Sequence, residues 1–93
     1  MALRFVWDAR KATANERKHG VGFLEATTVF DDPLSVTIPD PAHSVGEQRF
    51  LLLGTSRQQR LLVVAHSESG ESIRIISARR ARRRERRAYE EED

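Results

Sequence analysis

Ninety-three residues with a formal net charge of +2 leave room for one domain with one small core, and 39% hydrophobic against 32% charged residues makes that domain folded but polar. The absence of cysteine excludes a disulfide framework and a thiolate metal site, and no apolar run approaches the roughly 18 residues of a membrane span. With no secretory signal at its start, the chain reads as a soluble cytoplasmic protein.

Phe5-Val6-Trp7 is a short apolar start that a sheet can take as an extra strand. Asp8 then supplies an N-cap for a helix running to about His19, and Gly20 suits the left-handed position that ends it. Arg17, Lys18 and His19 place positive charge where the helix dipole favours it. Phe23, Ala26 and Phe30 recur at helical spacing after Gly22, and Asp31-Asp32-Pro33 stops that second helix.

Leu34 to Ile38 alternates with period two and halts at Pro39-Asp40-Pro41. Arg49–Leu53, Arg60–His66 and Ser72–Ser77 are the next strands, and the short polar linkers between them require antiparallel pairing. A final helix is expected from Ala78 onward. On its wheel Ala78, Ala81, Ala88 and Tyr89 form one stripe with Glu85, opposite Arg79, Arg80, Arg83, Arg86 and Arg87. The expected fold is therefore α+β: two N-terminal helices, a four-stranded antiparallel sheet (five with the Phe5–Trp7 segment) and an arginine-rich C-terminal helix.

Charge patterning points to a polyanionic partner. Fourteen of the sixteen basic residues are arginine, and eight of those lie between Arg74 and Arg87. A planar guanidinium fork matches phosphate bidentately and stacks on bases, which an ammonium does not. The acids are elsewhere, four of them in the tail Glu90-Glu91-Glu92-Asp93, residues 90–93, at the end of a single domain spanning 1–93.

A series of landmarks runs through the chain: Phe5-x-Trp7-Asp8, Asn15-x-x-Lys18-His19-Gly20-Val21, Phe30-x-Asp32-Pro33 and Gly46-Glu47-x-Arg49. Leu53-Gly54, Ile73-Arg74-Ile75-Ile76-Ser77-Ala78-Arg79 and Glu85-Arg86-Arg87-x-Tyr89 complete it. In this order they resemble the BrnT family of toxins from bacterial type II toxin–antitoxin systems. The resemblance implies a RelE-like ribonuclease fold, RNA cleavage that inhibits translation, and neutralisation by a BrnA-type antitoxin with a ribbon-helix-helix part. Operator DNA would then be reached only through the antitoxin. Gly22 departs from the family, which often has serine there, and implies a weaker helix start.

Metal-free attack by a ribose 2′-OH needs a base, an acid and positive charge on the phosphorane. Arg49, Arg74 and Arg79 are the candidate phosphate clamps, with structural ion pairs to Glu47 or Glu85 as the alternative. Glu47 and His19 are the candidate bases; the first equally suits an arginine counter-ion, the second a helix terminus. Tyr89 can stack on a base, donate its hydroxyl proton, or pack the last helix in place. Lys18 is a candidate for holding a phosphate or for capping the last carbonyls of its helix; Arg80, Arg83, Arg86 and Arg87 are candidates for holding RNA or antitoxin, or form a solvated face. His19, His43 and His66 lack metal-ligand spacing, so neither a metal nor a cofactor is expected. Trp7 reads as core and His66 as a hydrogen-bonded histidine at a strand end. The competing functional reading is a non-catalytic nucleic-acid-binding or co-repressor module acting with a DNA-binding partner.

Overall fold

Asp8 opens the first helix by accepting the backbone N–H groups of Arg10 and Lys11 at 2.8 and 3.1 Å on its Oδ1. The structure, a computed structural model, describes residues 3–44 and 46–91. Strand β1 (Arg4–Val6) precedes helix α1 (Ala9–His19), which Gly20 closes at φ 71° with its N–H donating to the Glu16 carbonyl. Helix α2 (Phe23–Thr28) starts at Gly22 without a side-chain cap and passes into a 3-10 turn, Val29–Asp31. Then come β2 (Val36–Pro39), a second 3-10 turn (Pro41–His43), β3 (Arg49–Thr55), β4 (Leu61–Ser69), β5 (Ser72–Arg80) and α3 (Arg83–Glu91). Glu90 and Glu91 of the acidic tail belong to α3; Glu92 and Asp93 lie outside the described residues.

The sheet order is β1-β5-β4-β3-β2. Strands β2 to β5 form an antiparallel meander, as their short connections demand. The N-terminal segment does add a fifth strand, but β1 runs parallel to β5, from Arg4 opposite Ser72 to Val6 opposite Arg74. The sheet is therefore mixed, not wholly antiparallel. A tight turn dictates the direction of consecutive strands only, and two helices and three strands separate β1 from β5.

Strand β5 reaches Arg80, beyond its expected end at Ser77, so Ala78, Arg79 and Arg80 belong to the sheet and not to the last helix. Their cross-strand partners Val64, Val63 and Leu62 supply ladder positions that outweigh the helix propensity of an Ala-Arg run. The expected alanine stripe is thereby broken up. Ala78 is fully buried in the core and Ala81 lies in the connection to α3.

One face of the sheet carries the core. Leu52, Leu62, Val64, Ile73, Ile75 and Ala78 meet Val21, Phe23, Ala26 and Val29 from the helical layer. Trp7 packs edge-to-face on Phe23 at 5.9 Å and is core, as its sequence setting suggests. His66, 1% exposed, lies against Phe30 and Phe50 and shares its Nε2 with Glu68 at 3.0 Å. Asn15 is buried for a different reason. Strand β1 ends at Val6, and beyond it the outer edge of β5 is uncovered. The Asn15 amide takes the place of a strand there: Nδ2 donates to the Ala78 carbonyl at 2.8 Å and Oδ1 accepts the Ala78 N–H at 3.1 Å. Its second Nδ2 proton goes to the Val21 carbonyl.

Gly54 is required by close approach. A Cβ there would lie 2.9 Å from Val29 Cγ1 and Ser35 Cβ and 3.1 Å from Asp32 Oδ2. The bare backbone lets the Val29–Asp31 turn settle on β3, so that Asp32 accepts the Thr55 N–H at 2.7 Å. Gly54→Ala is expected to cost about 1–3 kcal/mol by overpacking, read as a lower midpoint in urea unfolding.

Candidate nucleic-acid interface and active site

The other face of the sheet has three transverse rows. Arg79, Val63, Leu53 and Val36 form the first, and Ser77, Ala65, Leu51 and Ile38 the second. Arg74, Ser67 and Arg49 form the third. Arg74 and Arg79 are five positions apart, an odd offset that sends them to opposite faces of a regular strand. A β-bulge at Ile76 corrects the parity: Ser77 faces Ala65 while Ile75 already faces His66. Both guanidinium groups consequently emerge on the open face, while Ile75 and Ala78 stay in the core.

The third row brings three predicted residues together. Glu47 lies just before β3, and its carboxylate accepts a hydrogen bond from Arg74 Nη2. Arg74, with further help from Ser67 and the nearby charge of Arg49, holds the Glu47 carboxyl below the usual carboxylate range. Glu47 is therefore ionised near neutrality and able to accept a proton. Arg49, half-buried opposite Ser67, joins none of the ion pairs formed among the described residues.

Arg79 is held differently. Its Nη1 and Nη2 meet Glu85 Oε1 and Oε2 at 2.9 and 2.8 Å, a fork-on-fork pair of the kind a phosphate would make. Glu85 also accepts the Arg82 N–H at 2.8 Å, which caps the first turn of α3. The Arg79 guanidinium, working against partial burial, draws the Glu85 carboxyl down to about 2. At the far end of α3 the Tyr89 hydroxyl donates to Asp32 Oδ2 at 2.5 Å and lies 3.3 Å from Thr55 Oγ1. Desolvation would raise the Asp32 carboxyl, but hydrogen bonds from Thr55, Tyr89 and Leu34 outweigh it and leave it lowered. In this arrangement Tyr89 anchors the helix.

Both anchors of α3 are thus carboxylates whose folded-state values lie below their unfolded ones. Such groups contribute stability above the unfolded value, about 4.5 for Glu85, and lose it as pH falls through the folded one. The lowering of Glu85 corresponds to at most about 3 kcal/mol, reduced by its partial exposure. The Tyr89 ring resonances, read by NMR, are expected to shift to averaged positions as pH drops from about 4.5 towards 2. Trp7, in the other layer, is expected to respond later.

The remaining predicted residues are not drawn into this cluster. His19 and Lys18 end α1, and no hydrogen bond or ion pair joins either to Glu47, Arg49, Arg74 or Arg79 among the described residues. Arg80 points to the helical side, where its charge is felt by Glu25. Arg83, Arg86 and Arg87 are exposed on α3. Sequence reasoning passed over Ser67 and Asp32. Asp32 had a signal, since it precedes Pro33 in a helix-stopping motif; Ser67 had none without the register.

Between α3 and the sheet lies an open cavity of about 270 Å³, lined by Val36, Ile38, Leu51, Leu53, Val63, Glu85, Ala88 and Tyr89. No helix among the described residues is long and apolar enough to cross a membrane.

No curated protein sequence matches the chain. Among solved structures it is similar to the 1.1 Å crystal structure of the Brucella abortus ribonuclease toxin, BrnT, with a TM-score of 0.68 and 20% identity over 88% of this chain and 100% of that one. That likeness confirms the fold alone. The family model for the ribonuclease toxin BrnT of type II toxin–antitoxin systems matches residues 7–85, from Trp7 in the core to the carboxylate that holds Arg79. With most of its length matched, the chain belongs to the BrnT family of ribonuclease toxins.

Proposed function

We propose that this toxin cleaves RNA without a metal ion, by attack of a ribose 2′-OH on the adjacent phosphate, and so inhibits translation. One observation carries the reading. The bulge at Ile76 sets Arg74 and Arg79 on one face, where Arg74 shares a row with Arg49 and a bond with Glu47. A phosphate entering that row replaces the Glu47 carboxylate on Arg74. Arg74 and Arg49 in that row, joined by Arg79 once a phosphate oxygen displaces Glu85 from its fork, then stabilise the extra charge of the phosphorane. Released from its counter-ion, Glu47 regains basicity and takes the 2′-OH proton. Exposed Arg83, Arg86 and Arg87 extend the cationic surface for RNA or antitoxin; Arg80 on the helical side, and Lys18 and His19 at the end of α1, are cationic groups apart from that row, where a longer strand can be held. The antitoxin is of the BrnA type, with a ribbon-helix-helix part that binds operator DNA, and the working compartment is the cytoplasm.

Cleavage of RNA in EDTA tests the chemistry. Cyclic-phosphate 3′ ends are expected, because 2′-OH attack closes that ring and expels the 5′-oxygen, which takes its proton from solvent water. RNA left intact at saturating binding would convert the protein into a non-catalytic binding module. Co-expression with an adjacent gene encoding a ribbon-helix-helix protein tests the partner, and restored growth is expected.

A further inference from the structure

We propose that the trough between α3 and the sheet is a nucleobase subsite joined to phosphate capture at Arg79; this deepens the ribonuclease reading and rests on it. Val63, Leu53 and Leu51 make the floor, Val36 and Ile38 one wall, and Ala88 and Tyr89 the other. Val63 stands directly opposite Arg79 in the β4–β5 register, and Leu53 opposite Val63. The apolar floor therefore begins one strand away from the Arg79 backbone, roughly 5 Å across the sheet. Glu85 completes the connection, because it lines the trough and also grips Arg79 with both carboxylate oxygens.

A ligand that satisfies such a place has an anion attached to a flat, weakly polar body. A nucleotide has that form. Its phosphate can take the Arg79 fork from Glu85, and its base can lie on the aliphatic floor, where contact with a π-face is tolerant of sequence. A peptide segment fits less well. Its backbone needs hydrogen-bond partners, and the polar side chains of the lining, Glu85 and Tyr89, are already engaged with Arg79 and Asp32. The volume, about 270 Å³, suits one heterocycle.

The test compares two short, uncleavable 2′-O-methyl RNA oligonucleotides, one carrying its bases and one abasic, in equilibrium binding to the full-length toxin. The base-bearing strand is expected to bind about tenfold more tightly. Ala88→Trp and Ile38→Trp fill the trough from opposite walls at exposed positions and leave the core untouched. Each is expected to shrink that difference to about twofold or less while affinity for the abasic strand persists. Equal binding of the two strands by the wild-type protein overturns the subsite and leaves the ribonuclease reading standing. Tryptophan variants that keep the full difference overturn it too, and if they instead lose only neutralisation by the antitoxin, the trough belongs to a protein partner. Failure of both strands to bind would sink the ribonuclease reading itself.

Discussion

Arg79→Ala is expected to relieve growth arrest and to lower the RNA cleavage rate about a hundred- to a thousandfold, the scale seen when one donor to a developing oxyanion is removed. Of the three candidate clamps Arg49, Arg74 and Arg79, it is Arg79 whose geometry is already bidentate towards a carboxylate, at 2.9 and 2.8 Å. A phosphate competes for the same two nitrogens. The variant is expected to remain folded, with a loss of about 1–2 kcal/mol because Glu85 keeps only its bond to the Arg82 N–H. Arg79→Lys is expected to resemble alanine in cleavage, since an ammonium offers charge without the fork. Glu85→Gln leaves Arg79 available and is expected to bind RNA at least as well as wild type, with α3 less firmly docked. A folded Arg79→Ala protein that cuts RNA at the wild-type rate would remove Arg79 from the mechanism.

Asn15→Ala is expected to have the largest effect on stability, about 2–4 kcal/mol, measured by chemical denaturation. Its amide serves three buried backbone groups: both polar atoms of Ala78 and the carbonyl of Val21. Alanine would leave them without partners at a place where α1 covers the sheet edge. Asn15→Asp is expected to restore only part of the loss, because a carboxylate can accept the Ala78 N–H but cannot donate to either carbonyl. A variant with the wild-type denaturation midpoint would show that water reaches this edge and that the amide is dispensable.

Local chemistry made much of this chain legible. The Asp8 cap, the left-handed Gly20, the stop at Asp31-Asp32-Pro33 and the period-two strands all act within a few residues, so they stand in the structure close to where the sequence sets them. Glu47, Arg49 and Arg74 could be chosen as chemistry-bearing residues because of their types, and the fold brings those three together. The last helix was harder to read. Ala78 and Arg79 have high helix propensity, yet the ladder offered by β4 draws them into β5. The true start of α3, at Arg83 and capped through Glu85, is visible only once that ladder is known.

The fold class, the concentration of guanidinium groups near the C-terminus and the residue types able to handle phosphate follow from the order of amino acids alone, because propensity, periodicity and charge are properties of short segments. Which face those groups use was decided by tertiary structure. One extra residue at Ile76 reverses the side-chain parity of β5, and only pairing with β4 reveals it. The same holds for Asp32 and Tyr89, which are 57 positions apart and meet because Gly54 lets a turn approach the sheet. Such contacts depend on register and close packing between distant segments, and neither leaves a mark at the positions themselves.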